Sequence, residues 1–279
     1  MPEHQPAGAD VSGFHAVDRA PDPRVFIQFL ARAKMQPELQ ALEREMLDAL
    51  RLAPLSRVLD VGCGYGADAA EIAARVAGGS VVGVDLSRTM IDEAWRRTAV
   101  LGLNVSFQVA DAADLPFPDD AFHGCRAEAV LEHVSDPALA VAEMVRVTRP
   151  AGRVVALDID HGLTMLDHPD VRTTRLVLEA TADAVASPWA GRQLRRLFGA
   201  AGLEEVVVRT HTMFAPAPFF RSILAPHVAR LESAGTLDAD TVRRWWAALD
   251  EPAVANWFTG GATWFLATGT VPDHGSPPG

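Results

Sequence analysis

Short β-branched runs alternate with helical stretches from Arg57 to Ile159. "RVLDVG" gives way to "ADAAEIAARVAG", then to "SVVGVDLS", "TMIDEAWRRTAVLG" and "NVSFQVAD". A loop "AADLPFPDDA", the run "FHGCRAE", the helical "DPALAVAEMVRVTR", a "PAG" turn and the run "RVVALDID" complete the series. Five strands separated by helices or long loops require parallel crossovers, so the pattern predicts a doubly wound α/β sheet. Sheets of this kind take their ligands in the crevice beyond the carboxyl ends of the strands.

Two flanking regions break the rhythm. Before Arg57, "DPRVFIQFLARAKMQPELQALEREMLDALRL" is helical with a break near Gln36-Pro37. After Ile159, "DHPDVRTTRLVLEATADAVASPWAGRQLRRLFGAAG" predicts two helices, and "EEVVVRTHTMF" a strand. Helices around Phe219 to Glu232 and Ala239 to Leu249 come next, and "TWFLATGTV" is a last strand entered through Gly260-Gly261. The expected fold is a seven-stranded, mostly parallel, Rossmann-like sheet with an N-terminal helical lid and a helical insertion near the C-terminus. It divides into a tail and lid (1–50), a ligand-binding core (51–160), and cap helices with the last two strands (161–279). Trp189, Phe214, Phe219, Phe220, Trp245, Trp246, Trp257 and Phe258 are expected mainly in the core, with a subset lining an apolar pocket.

With 279 residues, 49% of them hydrophobic, the chain can bury a large core. A net charge of −11 argues against nucleic acid as a partner, because phosphate contacts need a basic face. No stretch of roughly 18 uninterrupted apolar residues predicts a membrane span. "MPEHQPAGADVSG" lacks the features of a secretory signal and reads as a frayed tail, as does "PDHGSPPG". The two cysteines, Cys63 and Cys125, suggest no disulfide framework, and no Cys/His cluster has zinc spacing. A reducing cytoplasm and no metal are therefore expected; self-association into a homodimer is left open.

The chemistry gathers at "VLDVGCGYGADAAEIAARV". Gly62, Gly64 and Gly66 form G-x-G-x-G, and counting on to Ala67 also satisfies a looser dinucleotide pattern. A purely structural glycine turn is the plain alternative. Asp85 ends the second strand, where a carboxylate would reach a ribose, and Asp111 ends the third, where it could accept from an adenine amine. Asp60 stands just before the first glycine and would repel a pyrophosphate bound at the helix N-terminus. Like charges at ~4 Å cost about 4 kcal/mol at an effective dielectric near 20. An α-amino acid carrying a sulfonium meets both demands, its carboxylate on the loop N–H groups and its cations on the acids. S-adenosylmethionine fits better than NAD.

The motifs "VLDVGCGYGAD", "VVGVDLS", "VADAADLPFPDDAFH", "VLEHVSDP" and "RPAGRVVALDID" together resemble those of class I S-adenosylmethionine-dependent methyltransferases. The similarity runs over roughly Arg57 to Asp160 and is to the ubiquinone/menaquinone-biosynthesis type and its natural-product relatives. It implies that Asp60, Gly62, Gly64 and Gly66 hold the methionine end, Asp85 with Leu86 the ribose, and Asp111 with Ala112 the adenine. Arg126 and Glu128 would border the sulfonium. Two positions depart from the family pattern: His123 replaces an aspartate and Ala151 a glycine, both where the motif serves folding.

The implied activity is methyl transfer to a small, largely apolar metabolite. The enzyme aligns the acceptor and, for some acceptors, supplies a base. His133 follows the fourth strand, His161 the fifth, and His211 lies near the end of the sixth. Asp160 is favoured over Asp158 as the acid facing the cleft beside His161. Arg192, Arg195 and Arg196 read as a solvated face. An electron-rich carbon needs little base, which favours C-methylation slightly over O- or N-methylation. The same motifs would serve a protein that keeps the cofactor and catalyses a cyclisation, or that binds a ligand without turnover. An NAD-dependent oxidoreductase is the more distant alternative.

Overall fold

Strand β1 (Arg57–Val61) is buried at every residue after its first, as a strand covered on both faces must be. In the computed structural model, which describes residues 11–251 and 257–273, it is an interior strand of the sheet, with a parallel neighbour on each side. β2 (Ser80–Asp85), β3 (Val105–Val109), β4 (Phe122–Glu128) and β5 (Thr148–Leu166) run parallel to it. β6 (Glu204–Phe214) and β7 (Gly260–Thr270) complete seven strands in the order β3-β2-β1-β4-β5-β7-β6, with β7 antiparallel to both neighbours. The order reverses at β1/β4, the switch point at which such sheets open a ligand crevice.

Helices cover both faces. α2 (Pro37–Ala49), α3 (Ala67–Arg75) and α4 (Arg88–Thr98) pack on one side through Leu42, Met46, Ile72 and Ile91. α5 (Pro137–Arg146) and α7 (Ala190–Ala200) pack on the other through Val141, Met144, Leu194 and Phe198. Side-chain caps start several helices. Ser87 Oγ accepts from Met90 N at the start of α4, and Asp136 accepts from Ala138 N and Leu139 N at the start of α5.

α6 (Val171–Ala182), α8 (Ala217–Ser233) and α9 (Ala239–Asp250) form a separate cap around fully buried Trp245. α1 (Arg24–Ala33) and a 3₁₀ segment (Val11–Arg19) make a small cluster with Tyr65 and Met90. The N-terminal region expected as one lid is therefore divided. α2 packs in the sheet's helical layer and reaches the ligand end only near its start, whereas the 3₁₀ segment and α1 lie over that end. The tail expected through Gly13 stops earlier, since the 3₁₀ segment begins at Val11; residues 1–10 and 274–279 lie outside the described residues. No helix among the described residues is long and apolar enough to cross a membrane.

β5 outruns its expected end near Asp160 and pairs with β7 again at Met165 and Leu166 after an irregularity. His161 therefore lies within the strand rather than after it.

Candidate active site

A cavity of about 330 Å³ opens at the carboxyl ends of β1, β2 and β4, beneath α1, the 3₁₀ segment and α8. Gly62, Gly64, Asp85 and Leu86 line it, as do Asp111, Ala112 and Glu128. Seven of the ten residues expected at the cofactor thus share one wall system. The other three, Asp60, Gly66 and Arg126, do not line it.

The glycines have different tasks. Gly62 has φ of +68°, and a Cβ there would come within 2.2 Å of the Val130 side chain. Gly64 has φ of +51° beneath Leu30 of α1. At Gly66 a Cβ would meet the Ala94 methyl and the Phe107 ring at 2.8 Å, so this glycine lets α3 approach α4 and β3. Gly62 and Gly64 face the ligand space; Gly66 serves packing. Asp85 organises the loop as well as facing the cavity: Gly64 N donates to its Oδ2 (2.9 Å) and Ser87 N to its Oδ1 (2.8 Å). Asp111 is exposed into the cavity mouth, and its Oδ1 accepts from Ala113 N at 2.9 Å.

Arg126 is 2% exposed and lies under the cavity floor rather than bordering it. Its Nη1 stands 3.5 Å from Asp60 Oδ1 and 3.4 Å from Asp68 Oδ2, and Nη2 donates to Glu128 Oε2. Lys34, which caps the C-terminus of α1, adds a second cation, 2.9 Å from Glu43 Oε2 and also bonded to Asp68. Four acids therefore share two cations. Burial pushes the Glu128 carboxyl up to about 8 despite Arg126, and burial likewise raises Asp60 to about 6. Asp60 Oδ2 is buried without a hydrogen-bond partner. Glu43, Asp68 and Glu128 offer oxygens within 4.8 Å of one another, a spacing a metal could use. Lys34 and Arg126 already bring positive charge to that cluster.

His133 and His161 also line the cavity wall, with Glu132 between them. Glu132 Oε2 bonds His161 Nε2, and Oε1 stands 3.5 Å from His133 Nε2. Adjacent acid and histidine in "LEHV" were the only sequence signal for this arrangement, which depends on the 3₁₀ turn Leu131–His133.

Asp160 does not join it. Residues two apart on a strand share a face, so Asp158 and Asp160 point together, away from the face on which Ile159 and His161 meet the cavity. Asp160 is wholly buried against Arg192, whose Nη2 donates to Oδ1 at 2.7 Å. The expected pairing of Asp160 with His161 is thereby corrected; Arg192 holds Asp160 while remaining, with Arg195 and Arg196, on the exposed face of α7 expected for them. His211 stands 3.3 Å from Glu45, outside the cavity. Of the late aromatics, Phe214, Phe219 and Phe220 line it, whereas Trp245 and Trp246 pack within the cap. Trp257 is 82% exposed and Trp189 53%, against the expected core placement.

A methyltransferase-domain family profile matches residues 59–156. An uncharacterized 37.1 kDa protein in transposon Tn4556 of Streptomyces fradiae is 34% identical over 237 residues, covering 83% of this chain and 68% of that protein. The ubiquinone/menaquinone biosynthesis C-methyltransferase of Geotalea daltonii is 37% identical over 112 residues, or 39% of this chain and 48% of that enzyme. An O-methyltransferase of Aspergillus sclerotiorum is 35% identical over 127 residues, 45% of this chain and 48% of its own length. The chain thus spans about half the length of these two methyltransferases. Among solved structures, the YcgJ protein of Bacillus subtilis superposes with a TM-score of 0.58 at 20% identity, over 84% of this chain and 99% of that one.

Proposed function

The chain belongs to the class I S-adenosylmethionine-dependent methyltransferases, and from that premise we propose that it methylates a small, largely apolar acceptor held beneath α1 and the cap helices. The observation that carries the reading is the excess of buried acid beside the bare glycine loop. Asp60, Asp68, Glu43 and Glu128 outnumber Lys34 and Arg126, and Asp60 Oδ2 has no partner. A ligand bringing an amino acid and a further positive charge suits that floor, whereas a pyrophosphate does not.

The residues present fit S-adenosylmethionine. Gly62 and Gly64 would leave the backbone open to the methionine portion, and Glu128 would face its cations. Asp85 would accept from ribose hydroxyls, and Asp111 from the adenine amine. When bound, the cofactor supplies a methyl group activated on a positively charged sulfur. The chain's own contribution is alignment and exclusion of water. Phe14 and Phe29 from the N-terminal segment and Phe219 from α8 form the apolar roof, with Phe29 stacked on Phe219 at 5.4 Å between ring centroids.

Calorimetric titration with the cofactor and its demethylated product tests the reading. Binding of both is expected, together with a loss of roughly 10- to 100-fold in Asp85→Ala, equivalent to about 1.5–3 kcal/mol for a charged acceptor. Binding of NAD in their place would overturn it. Methyl-labelled cofactor incubated with extracts of the producing organism should yield a labelled small molecule. A bound cofactor with persistent absence of label would favour a cyclase or a ligand-binding protein on the same fold.

A further inference from the structure

Glu132 is almost wholly buried, and its position is held from behind. Asp158, itself inaccessible, accepts from Leu131 N (2.8 Å) and Glu132 N (3.2 Å), and Ser187 N donates to Glu132 O at 2.8 Å. The carboxylate is thus fixed between His161 on β5 and His133 beside it.

This has a consequence for the tautomer of His133. Its Nε2 stands 3.5 Å from Glu132 Oε1, which favours the proton on Nε2 and, in the neutral ring, leaves the lone pair on Nδ1. Nδ1 is buried and has no hydrogen-bond partner, and the ring lines the cavity. Burying an unpaired acceptor is unfavourable, and an entering O–H or N–H group would satisfy it.

The surrounding charges leave His133 able to take a proton. Burial holds it below the ordinary imidazole value; the Glu132 carboxylate opposes this, while His161 and His15 reinforce it. Burial also opposes charge on His161, but Glu132 outweighs it and raises that histidine, with Asp158 and Asp160 contributing. Glu132 itself is held ionised by its histidines against the effect of burial. Phe14 from the N-terminal segment covers the His133 ring at 5.3 Å.

We propose that His133 Nδ1 is the proton acceptor of this site and that the methyl acceptor is a hydroxyl of a phenol or enol set in an apolar skeleton. The proposal rests on the methyl-transfer reading and replaces the carbon acceptor favoured on sequence alone. Such a hydroxyl holds its proton at neutral pH, as tyrosine does, and needs a base that an electron-rich carbon does not. The hydroxyl proton passes to His133 Nδ1. The oxygen's electron pair forms the O–CH₃ bond while the C–S bond of the bound cofactor breaks, its electrons remaining on sulfur. The products are a methyl ether, a neutral thioether and a proton on His133, which then leaves to solvent. Glu132 is a positioning residue that sets the tautomer and stabilises the imidazolium.

Naphthols of graded acidity provide the test. Without cofactor, a nitronaphthol bound to the protein should show its naphtholate absorption at a lower pH than when free, and His133→Gln should abolish the shift. With cofactor, His133→Gln should lower kcat by roughly 10²–10⁴-fold on the least acidic naphthol. The penalty should shrink as acceptor acidity rises, with KM and cofactor affinity little changed and the methyl group found on oxygen. Glu132→Gln should show the same dependence in weaker form. An unshifted bound nitronaphthol, an equal penalty across the series, methylation on carbon, or cofactor binding with no naphthol turned over would each overturn the proposal. Failure to bind the cofactor at all would remove the methyl-transfer reading beneath it.

Discussion

Asp60 and Arg126 are register partners across the β1–β4 ladder, and the guanidinium lies 3.5 Å from the carboxylate with both side chains at most 3% exposed. One cation buried beneath the ligand wall thereby steadies three acids, since Asp68 and Glu128 also reach it. Replacing it with an apolar residue leaves those acids uncompensated. Arg126→Met should cost about 3–5 kcal/mol in urea unfolding, as expected when one partner of a buried ion pair is removed. Arg126→Lys should cost less, because charge is retained while the planar reach is lost. A loss below about 1 kcal/mol in Arg126→Met would show that the acids are neutralised by other means.

The same floor should make cofactor binding depend on pH. Burial raises Asp60 to about 6 and Glu128 to about 8, above the values they would have unfolded. Their contribution to the stability of the free protein is therefore full below the ordinary carboxylate range and is lost as pH rises toward 8. A cationic ligand favours the ionised acids, so its affinity should rise between pH 6 and 8 as binding displaces protons. Calorimetry in buffers of different ionisation enthalpy would reveal that release. A flat affinity with no proton release would mean that the acids are already ionised in the free protein.

The sheet was legible because buried parallel strands leave β-branched runs, and the strand-end acids follow from the runs' boundaries. Orientation was less so. Arg126 and Glu128 lie two apart on β4, yet only Glu128 lines the cavity, and the long arginine side chain stays beneath it. Asp160 was misread because the alternation of side chains holds through His161 as β5 continues, so Asp160 turns to Arg192 of α7 while His161 meets the cavity. Glu132 was missed because an acid beside a histidine shares its surroundings only where the backbone turns as tightly as it does at Leu131–His133.

Ala151, which departs from the glycine usual at its position, has φ of +58°. A Cβ in this left-handed region costs roughly 1–2 kcal/mol, part of which is offset by the freedom glycine gains in the unfolded chain. Ala151→Gly should therefore raise the melting temperature by about 2 °C. A fall would show that the alanine methyl makes contacts worth more than the strain.

Asp18 ties the N-terminal segment to the start of α4. Its Oδ1 accepts from Ser87 Oγ (2.6 Å) and Thr89 N (3.1 Å), and Oδ2 accepts from Arg88 N (2.8 Å). Burial opposes the charge, but the Ser87, Thr89 and Arg88 donors outweigh it and hold the carboxyl at about 2. The tie should consequently persist across the whole range from pH 5 to 9, a contrast with the acids of the floor. Asp18 is exposed, so its loss should cost only on the order of 1 kcal/mol. That is nonetheless enough to change how often Phe14 uncovers His133. Asp18→Ala should speed hydrogen exchange in residues 11–23 by about 5- to 10-fold and raise KM for the acceptor, while exchange in β1 and β4 is unchanged. Equal acceleration in the strands would show that Asp18 supports the fold as a whole, and no acceleration in the segment would mean that the hydrophobic contacts of Val17 and Phe26 hold it unaided.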